Sequence, residues 1–92
     1  MAKRLEEMGY RIVQRGYATP WARLDFIARD GPILAFVQVR EAKRSKPSRA
    51  EREALARAAA EFLGRRGWWH LVCRFDAAVV RGSEIQVVKD AW

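Results

Sequence analysis

The stretch that decides the fold is LDFIARDGPILAFVQV, residues 24–39. Two runs of apolar, β-branched and aromatic residues, at 24–28 and 33–39, flank the segment Arg29-Asp30-Gly31-Pro32. An Asp-Gly pair accepts the positive φ angles of a tight hairpin turn, so the two runs predict adjacent antiparallel strands. The second run is nearly all apolar until Gln38, which predicts a central strand covered on both faces.

Helical patterns lie on both sides of this hairpin. A short helix is predicted at residues 2–8, stopping at Gly9, and a short strand at 10–15. Downstream, Ser48 and Glu51 form a capping-box pattern before a run of good helix formers that extends to Leu63 and is predicted to end at Gly64. Apolar residues at three- and four-residue spacing give this helix one core-facing stripe: Ala50, Ala54, Leu55, Ala58, Ala59, Phe62 and Leu63.

The remainder of the chain has a strand pattern. Residues 68–80 form a long strand-like run, Arg81-Gly82-Ser83 predicts a turn, and residues 84–88 predict a last strand. The order is therefore α-β-β-β-α-β-β. It predicts an α/β fold in a single domain spanning residues 1–92, with a hairpin-linked mixed sheet flanked by helices.

Charge is the most informative bulk property. Eighteen Lys and Arg against eleven Asp and Glu leave a net charge of +7. A positive field of this density attracts phosphate polymers, so we expect a nucleic-acid partner, with a merely solvated Arg-rich surface as the alternative. No apolar run approaches the roughly 20 residues needed to cross a bilayer, and no segment is both basic and strongly amphipathic, so no membrane role is expected.

Isolated Cys and His residues point to no redox or zinc chemistry. Cys73 is the one cysteine, which allows no intramolecular disulfide and favours a cytoplasmic location. Its place in an apolar run predicts a buried small hydrophobe. The N-terminal residues lack the apolar region of a secretory signal. His70 is predicted to be a packed or edge residue, because no second zinc-type ligand accompanies it.

Four short motifs occur in an order and at a spacing that resemble one protein family. They are Gly9-Tyr10-Arg11-Ile12-Val13, the ten residues 22–31, residues 34–40 and Arg74-Phe75-Asp76. They are similar to G-Y-x-I-L, G-E-I-D-L-I-A-x-D-G, L-V-F-V-E-V-K and R-F-D of the bacterial YraN-like family of predicted endonucleases. That family belongs to the restriction-endonuclease-like superfamily and is akin to archaeal Holliday-junction resolvases. The resemblance implies a restriction-endonuclease-like α-β-β-β-α-β core.

The same resemblance identifies degenerate catalytic candidates: Asp25, Gln38 and Arg40. Active members need carboxylates that converge on divalent cations, and a lysine near the attacking water. Asp25 keeps the family's Asp, whereas Arg23 and Gln38 replace its two Glu residues and Arg40 replaces its Lys. Asp25 and Gln38 would thus be weak metal ligands, and Mg or Mn is implied only for an active site. One carboxylate flanked by two arginines would repel a divalent ion and suit a phosphate, with Asp25 in an ion pair to Arg23 or Arg40.

Three functions remain open from the sequence. The first is a nucleic-acid-binding protein, with DNA as the expected partner, a nuclease-derived fold and little or no cleavage. The residues expected to contact nucleic acid, or alternatively to lie in a solvated loop, are Arg23, Arg40, Lys43, Arg44, Lys46 and Arg49. The second is an active Mg- or Mn-dependent endonuclease or junction resolvase with a divergent site that recruits Glu41, Glu51 or Glu53.

The third function is a non-enzymatic protein-interaction module that uses exposed tryptophans and the basic surface. Trp21, Trp68 and Trp69 could stack on bases, although packing in a core or a dimer is the more usual use of tryptophan. Trp92 could cap an interface. A homodimer is a further expectation, because acting on two strands suits two-fold symmetry.

Overall fold

The computed structural model describes residues 1–92 and has the order of elements that the sequence predicts. Its helices and strands are α1 (Ala2–Glu7), β1 (Arg11–Ala18), β2 (Arg23–Asp30), β3 (Ile33–Glu41), α2 (Arg49–Arg66), β4 (Cys73–Arg81) and β5 (Glu84–Val88), with a 3₁₀ turn at Ala42–Arg44. The predicted α/β class is confirmed.

The five strands form one mixed sheet in the order β1-β2-β3-β4-β5. All neighbouring pairs are antiparallel except β3 and β4, which are parallel. A parallel pair needs a crossover connection, and α2 supplies it. This mixed sheet with flanking helices agrees with the restriction-endonuclease-like core that the family resemblance implies.

The central strand β3 is covered on both faces, as predicted. Leu34 and Phe36 pack under α2 with Leu55 and Phe62. The alternate residues of the strand pack on the opposite face, together with Leu5 of α1. No helix of the protein combines the length and the apolar composition needed to cross a bilayer.

The limits of α2 confirm one prediction and correct another. The capping box is present, since Glu51 N donates to Ser48 Oγ at 3.1 Å and the Glu51 carboxylate accepts from Ser48 N at 3.4 Å. The helix does not end at Gly64 but continues to Arg66, and Gly67 ends it with φ 67°. A glycine inside a helix costs only about 1 kcal/mol, whereas the left-handed position after the last turn favours glycine strongly.

Three smaller expectations also differ from the structure. Residues 68–72 are a turn with irregular backbone on either side rather than strand, so β4 starts only at Cys73. Cys73 is exposed, not buried, because it opens the strand at the rim of the sheet and only residues 76–78 of β4 are buried. Ala50 is exposed in the first turn of α2, ahead of the part of the helix that packs on the sheet.

Candidate nucleic-acid interface

The ladder between β2 and β3 ends at the pair Phe26–Val37. Beyond it, the side chain of Gln38 replaces the missing backbone hydrogen bonds. Its Oε1 accepts from Asp25 N at 2.8 Å, and its Nε2 donates to the Arg23 carbonyl at 3.1 Å. Gln38 is only 7% exposed, so both ends of a buried amide are satisfied by the backbone of the neighbouring strand. The Gln38 amide therefore bridges the gap between residues 23–25 of β2 and residues 38–39 of β3, where the backbone ladder is missing. We call this gap the split.

Asp25 closes the split from the other side. Its Oδ2 accepts from the backbone amide of Val39 at 2.8 Å. Residues two apart in a strand normally share a face, but Leu24 packs in the α2-side cluster and Phe26 packs against the other, so β2 changes its packing face at Asp25. The structure thus brings Asp25 and Gln38 together, each bonded to the other's strand.

The predicted ion pair of Asp25 with Arg23 or Arg40 is wrong. The half-buried Asp25 carboxylate forms no ion pair. The guanidinium of Arg23 lies across β1 against Gly16, where a side chain would collide with it. Arg40 is held elsewhere, and a backbone amide satisfies the carboxylate in place of a cation.

Arg40 turns toward the start of α2. Its Nη1 donates to Glu51 Oε2 at 2.8 Å, and its Nε donates to the Arg44 carbonyl at 3.1 Å. The side chain is 16% exposed and makes no hydrogen bond to Asp25 or Gln38. The hydrogen bond from Arg40 holds the pKa of the Glu51 carboxyl below its usual value. Arg40 therefore fastens the end of β3 to the 3₁₀ turn at Ala42–Arg44 and to α2.

The side chains at the split do not fit a divalent cation. Asp25 is the one carboxylate there, and one of its oxygens accepts a hydrogen bond from the backbone N–H of Val39. The side-chain oxygen of Gln38 accepts a hydrogen bond from the backbone N–H of Asp25. Nowhere do three or more His, Cys, Asp or Glu side chains come together as a ligand set. Glu51 is bound by Arg40 and the helix cap, and Glu53 pairs with Arg49. Magnesium is normally held by more than one anionic oxygen ligand group, and at the split only the second carboxylate oxygen of Asp25 is free.

The segment that follows β3 carries three exposed cations, Lys43, Arg44 and Lys46, which we call the connector surface, and Arg44 lines a depression together with Val39 and Arg40. All three side chains are exposed and none forms an ion pair. Arg81, also exposed and unpaired, lines the same depression as Lys43. The pair of Arg49 with Glu53 is an exposed one at 3.4 Å, of the kind that contributes little stability. These cations are free to meet phosphate.

A second polar cluster, which the sequence did not predict as a cluster, surrounds Asp76. This carboxylate is fully buried and accepts from Tyr10 Oη at 2.6 Å, from Arg74 at 2.7 and 2.8 Å, and from Asp90 N at 2.9 Å. Arg74 also donates to Asp30 at 2.6 Å. Residues of three family-like motifs thus meet in one network. The alternation Arg74-x-Asp76, which places both side chains on one face, was the available signal.

The network shifts the ionisation of its members. Burial opposes the charged form of Asp76, but the hydrogen bonds from Arg74 and Tyr10 outweigh it and hold the pKa of this carboxyl below its usual value. Burial, followed by the hydrogen bond to Asp76, raises the pKa of Tyr10. With both oxygens of the buried Asp76 used inside the protein, the cluster is suited to holding the sheet together rather than to binding a ligand.

The four tryptophans and the one histidine differ in how far their side chains are exposed. Trp21 and Trp69 are 46% and 63% exposed. Trp68 and Trp92 are half-buried and pack on aromatic residues of the core. His70 is exposed, which agrees with an edge position. Trp21 and Trp69 are therefore the two that remain accessible for stacking.

Replacing Gln38 by glutamate tests the role of the amide. A carboxylate cannot donate to the Arg23 carbonyl, so we expect the free energy of unfolding to fall by about 1–3 kcal/mol at neutral pH. The loss should shrink at low pH, where a protonated glutamate can donate again. Urea unfolding at several pH values measures this, with the exposed Gln86→Glu as the matched control. A stability equal to that of the control would show that the amide bridge contributes nothing.

Comparison with known proteins places the chain among proteins of unassigned function. Residues 1–80 match the family model described as uncharacterised protein family UPF0102. A UPF0102 protein of Halorhodospira halophila is 34% identical over 97 residues, covering 96% of this chain and 76% of the relative. Proteins of the same description from Moorella thermoacetica and Dechloromonas aromatica are 32% and 33% identical, covering 96% and 99% of this chain and 84% and 80% of the relatives.

Proposed function

The chain belongs to the uncharacterised protein family UPF0102, the YraN-like family that its motifs indicate, and from this premise we propose that it binds DNA by its phosphates without cutting it. The observation that carries the proposal is the connector surface. Lys43, Arg44 and Lys46 are exposed and free of carboxylate partners at the end of the central strand. Lys and Arg side chains of this kind supply the phosphate contacts that dominate nucleic-acid affinity.

The charge balance supports the same function. Six of the eighteen Lys and Arg side chains form ion pairs, and the remaining twelve do not. Uncompensated cations lie along the chain from α1 to β4, so the field around the protein is positive. Such a field speeds the encounter with a polyanion and stabilises the complex by releasing counterions.

The arrangement at the split supports binding over cleavage. Metal-assisted hydrolysis requires carboxylates that hold a cation against the scissile phosphate. Here Asp25 and Gln38 bond to backbone atoms of the opposite strand, and Arg40 bonds to Glu51. These side chains shape the strand ends and leave Lys43, Arg44 and Lys46 unpaired, with Glu41 as the one unpaired carboxylate next to Lys43 and Arg44.

A metal-dependent endonuclease with a divergent site is the second candidate. The observation in its favour is a depression of about 320 Å³ next to the split, where the unpaired Glu41 lies near Glu51 and Arg40. Both glutamates would have to reach one cation there, and Glu51 would have to leave its ion pair. The first proposal needs no such rearrangement.

A salt titration tests the proposed function. Fluorescence anisotropy should detect binding to labelled duplex, single-stranded and four-way-junction DNA at about 50 mM salt. Contacts with three to six phosphates would weaken binding roughly 40-fold to 2,000-fold at about 200 mM, because each neutralised phosphate adds about 0.9 to the slope of log K against log salt. Binding that is absent, or that does not respond to salt, would overturn the proposal.

A further inference from the structure

The largest cavity of the protein is a cleft of about 560 Å³ between the start of β1, the end of β2 and the segment that follows α2. It is lined by Gly9, Arg11, Ile12, Val13, Arg29, Gly31 and Trp68. Two of these side chains are cationic and none is acidic. Arg29 lies six residues along β2 from Arg23, roughly 20 Å at the usual rise of a strand, so the cleft is at the opposite end of the sheet from the connector surface.

The two arginines of the cleft face each other without a counterion. Arg11 and Arg29 are direct partners in the register of β1 and β2, an arrangement in which like charges destabilise a sheet. Neither forms an ion pair or a side-chain hydrogen bond, and the Arg29 Nε is buried with no acceptor. The adjacent carboxylate, Asp30, is held by Arg74 and Lys89. A buried charged donor without an acceptor is costly, and an anion in the cleft would offset this cost through the Nη groups of the same guanidinium, which are unbonded and not buried.

The remaining lining residues make room for such an anion. Gly9 and Gly31 carry no side chain, and an added Cβ at either would meet no atom within 4 Å. The ring of Trp68 forms one wall, and the Arg66 guanidinium lies 5.2 Å from the centre of that ring. Space, an aromatic wall and two unpaired guanidinium groups therefore occur together.

We propose that this cleft binds a phosphate group through Arg11 and Arg29. Guanidinium groups bind phosphate oxygens through pairs of parallel, charge-assisted hydrogen bonds, and a phosphate between the two would replace their repulsion by two attractions. The phosphate belongs either to a small phosphorylated compound or to the end of a nucleic-acid strand. The inference does not depend on the function proposed for the connector surface, because no residue is shared between the two sites.

Calorimetric titration with pyrophosphate, a 5′-phosphorylated oligonucleotide and the same oligonucleotide with a 5′-hydroxyl end tests this site. The variants are Arg11→Gln, Arg29→Lys and the double variant R11Q/R29Q. The matched control is R52Q/R57Q, which removes the same charge from two exposed positions of α2. Circular dichroism establishes that each variant is folded, and Arg11, being exposed, gives a variant that leaves the core untouched.

We expect R11Q/R29Q to weaken pyrophosphate binding, or the affinity gained from a 5′-phosphate on the oligonucleotide, roughly tenfold to a hundredfold, and the control to change either less than about twofold. The wild-type protein identifies the source. A preference for the 5′-phosphorylated over the 5′-hydroxyl oligonucleotide that R11Q/R29Q abolishes indicates a strand end, whereas binding of pyrophosphate alone indicates a small phosphorylated compound. Equal loss in R11Q/R29Q and the control, or no binding of pyrophosphate together with equal affinity for the 5′-phosphorylated and 5′-hydroxyl oligonucleotides, would overturn the inference. Loss of duplex binding through the connector surface would leave this result unchanged.

Discussion

Replacing Asp76 by asparagine is expected to lower the free energy of unfolding by about 3 kcal/mol or more. The buried carboxylate accepts hydrogen bonds from Tyr10, from Arg74 and from the backbone N–H of Asp90. An amide offers one oxygen and adds two donors, so Arg74 would keep only Asp30 as a charged partner at the edge of the core. Removing one member of a buried ion pair leaves the other charge desolvated, which is among the most destabilising single changes.

Urea unfolding followed by tryptophan fluorescence measures this loss. The control is Glu84→Gln, at an exposed glutamate that forms no ion pair, and it should stay within about 0.5 kcal/mol of the wild type. If D76N unfolds at the same urea concentration as this control, the network is not a major source of stability.

The same network sets a pH dependence. Asp76 has a lowered pKa in the folded protein, so its contribution is present above the unfolded value of about 4 and is lost as the pH falls through the lower folded value. Tyr10 has a raised pKa, so its contribution is present below about 10 and is lost as the pH rises further. D76N should therefore flatten the acid limb of the stability curve below about pH 4.

The second large effect concerns DNA affinity. The triple variant K43Q/R44Q/K46Q removes the connector surface and is expected to weaken duplex binding roughly 100-fold at about 0.1 M salt. If all three side chains contact phosphate, the slope of log K against log salt should become shallower by about 2.7. Anisotropy titrations of the wild type and the variant over a salt series measure both quantities.

The matched control for this variant is K3Q/R15Q/R57Q. It removes three exposed cations that form no ion pair, from α1, β1 and the middle of α2. We expect it to reduce affinity only a few-fold, through the general field of the protein. Similar losses in the two triple variants would mean that binding follows net charge and that the connector surface is not a specific interface.

Much of the fold was predictable because local patterns and tertiary packing agree. The hairpin between residues 24–28 and 33–39 and the capping box at Ser48 are both present. The turn itself is formed by Gly31 and Pro32, with a positive φ at Gly31, whereas Asp30 is the last residue of β2 and does not take the positive φ expected of an Asp-Gly turn. The end of α2 was mispredicted because Gly64 and Gly67 are both glycines. Only the structure shows which of them takes the left-handed conformation.

The proximity of two candidate residues was predictable, but their contacts were not, and the third candidate, Arg40, lies apart from them. The resemblance indicated Asp25 and Gln38, and they do lie together across the split. A sequence cannot show that a polar side chain is hydrogen-bonded to a backbone amide. Nor can it show that Arg40 forms its ion pair with Glu51 rather than with Asp25. The Asp76 network was missed for the same reason, because Tyr10 is 66 residues away along the chain.

The most direct test of the account is one incubation of labelled four-way-junction and duplex DNA with the protein and Mn²⁺, read on native and denaturing gels. The account predicts that the DNA is shifted on the native gel and remains intact on the denaturing gel, and that Asp25→Ala changes neither result beyond its effect on folding. Mn²⁺-dependent nicking by the wild type that Asp25→Ala abolishes would contradict it, and would show that Asp25 serves a metal-dependent cut.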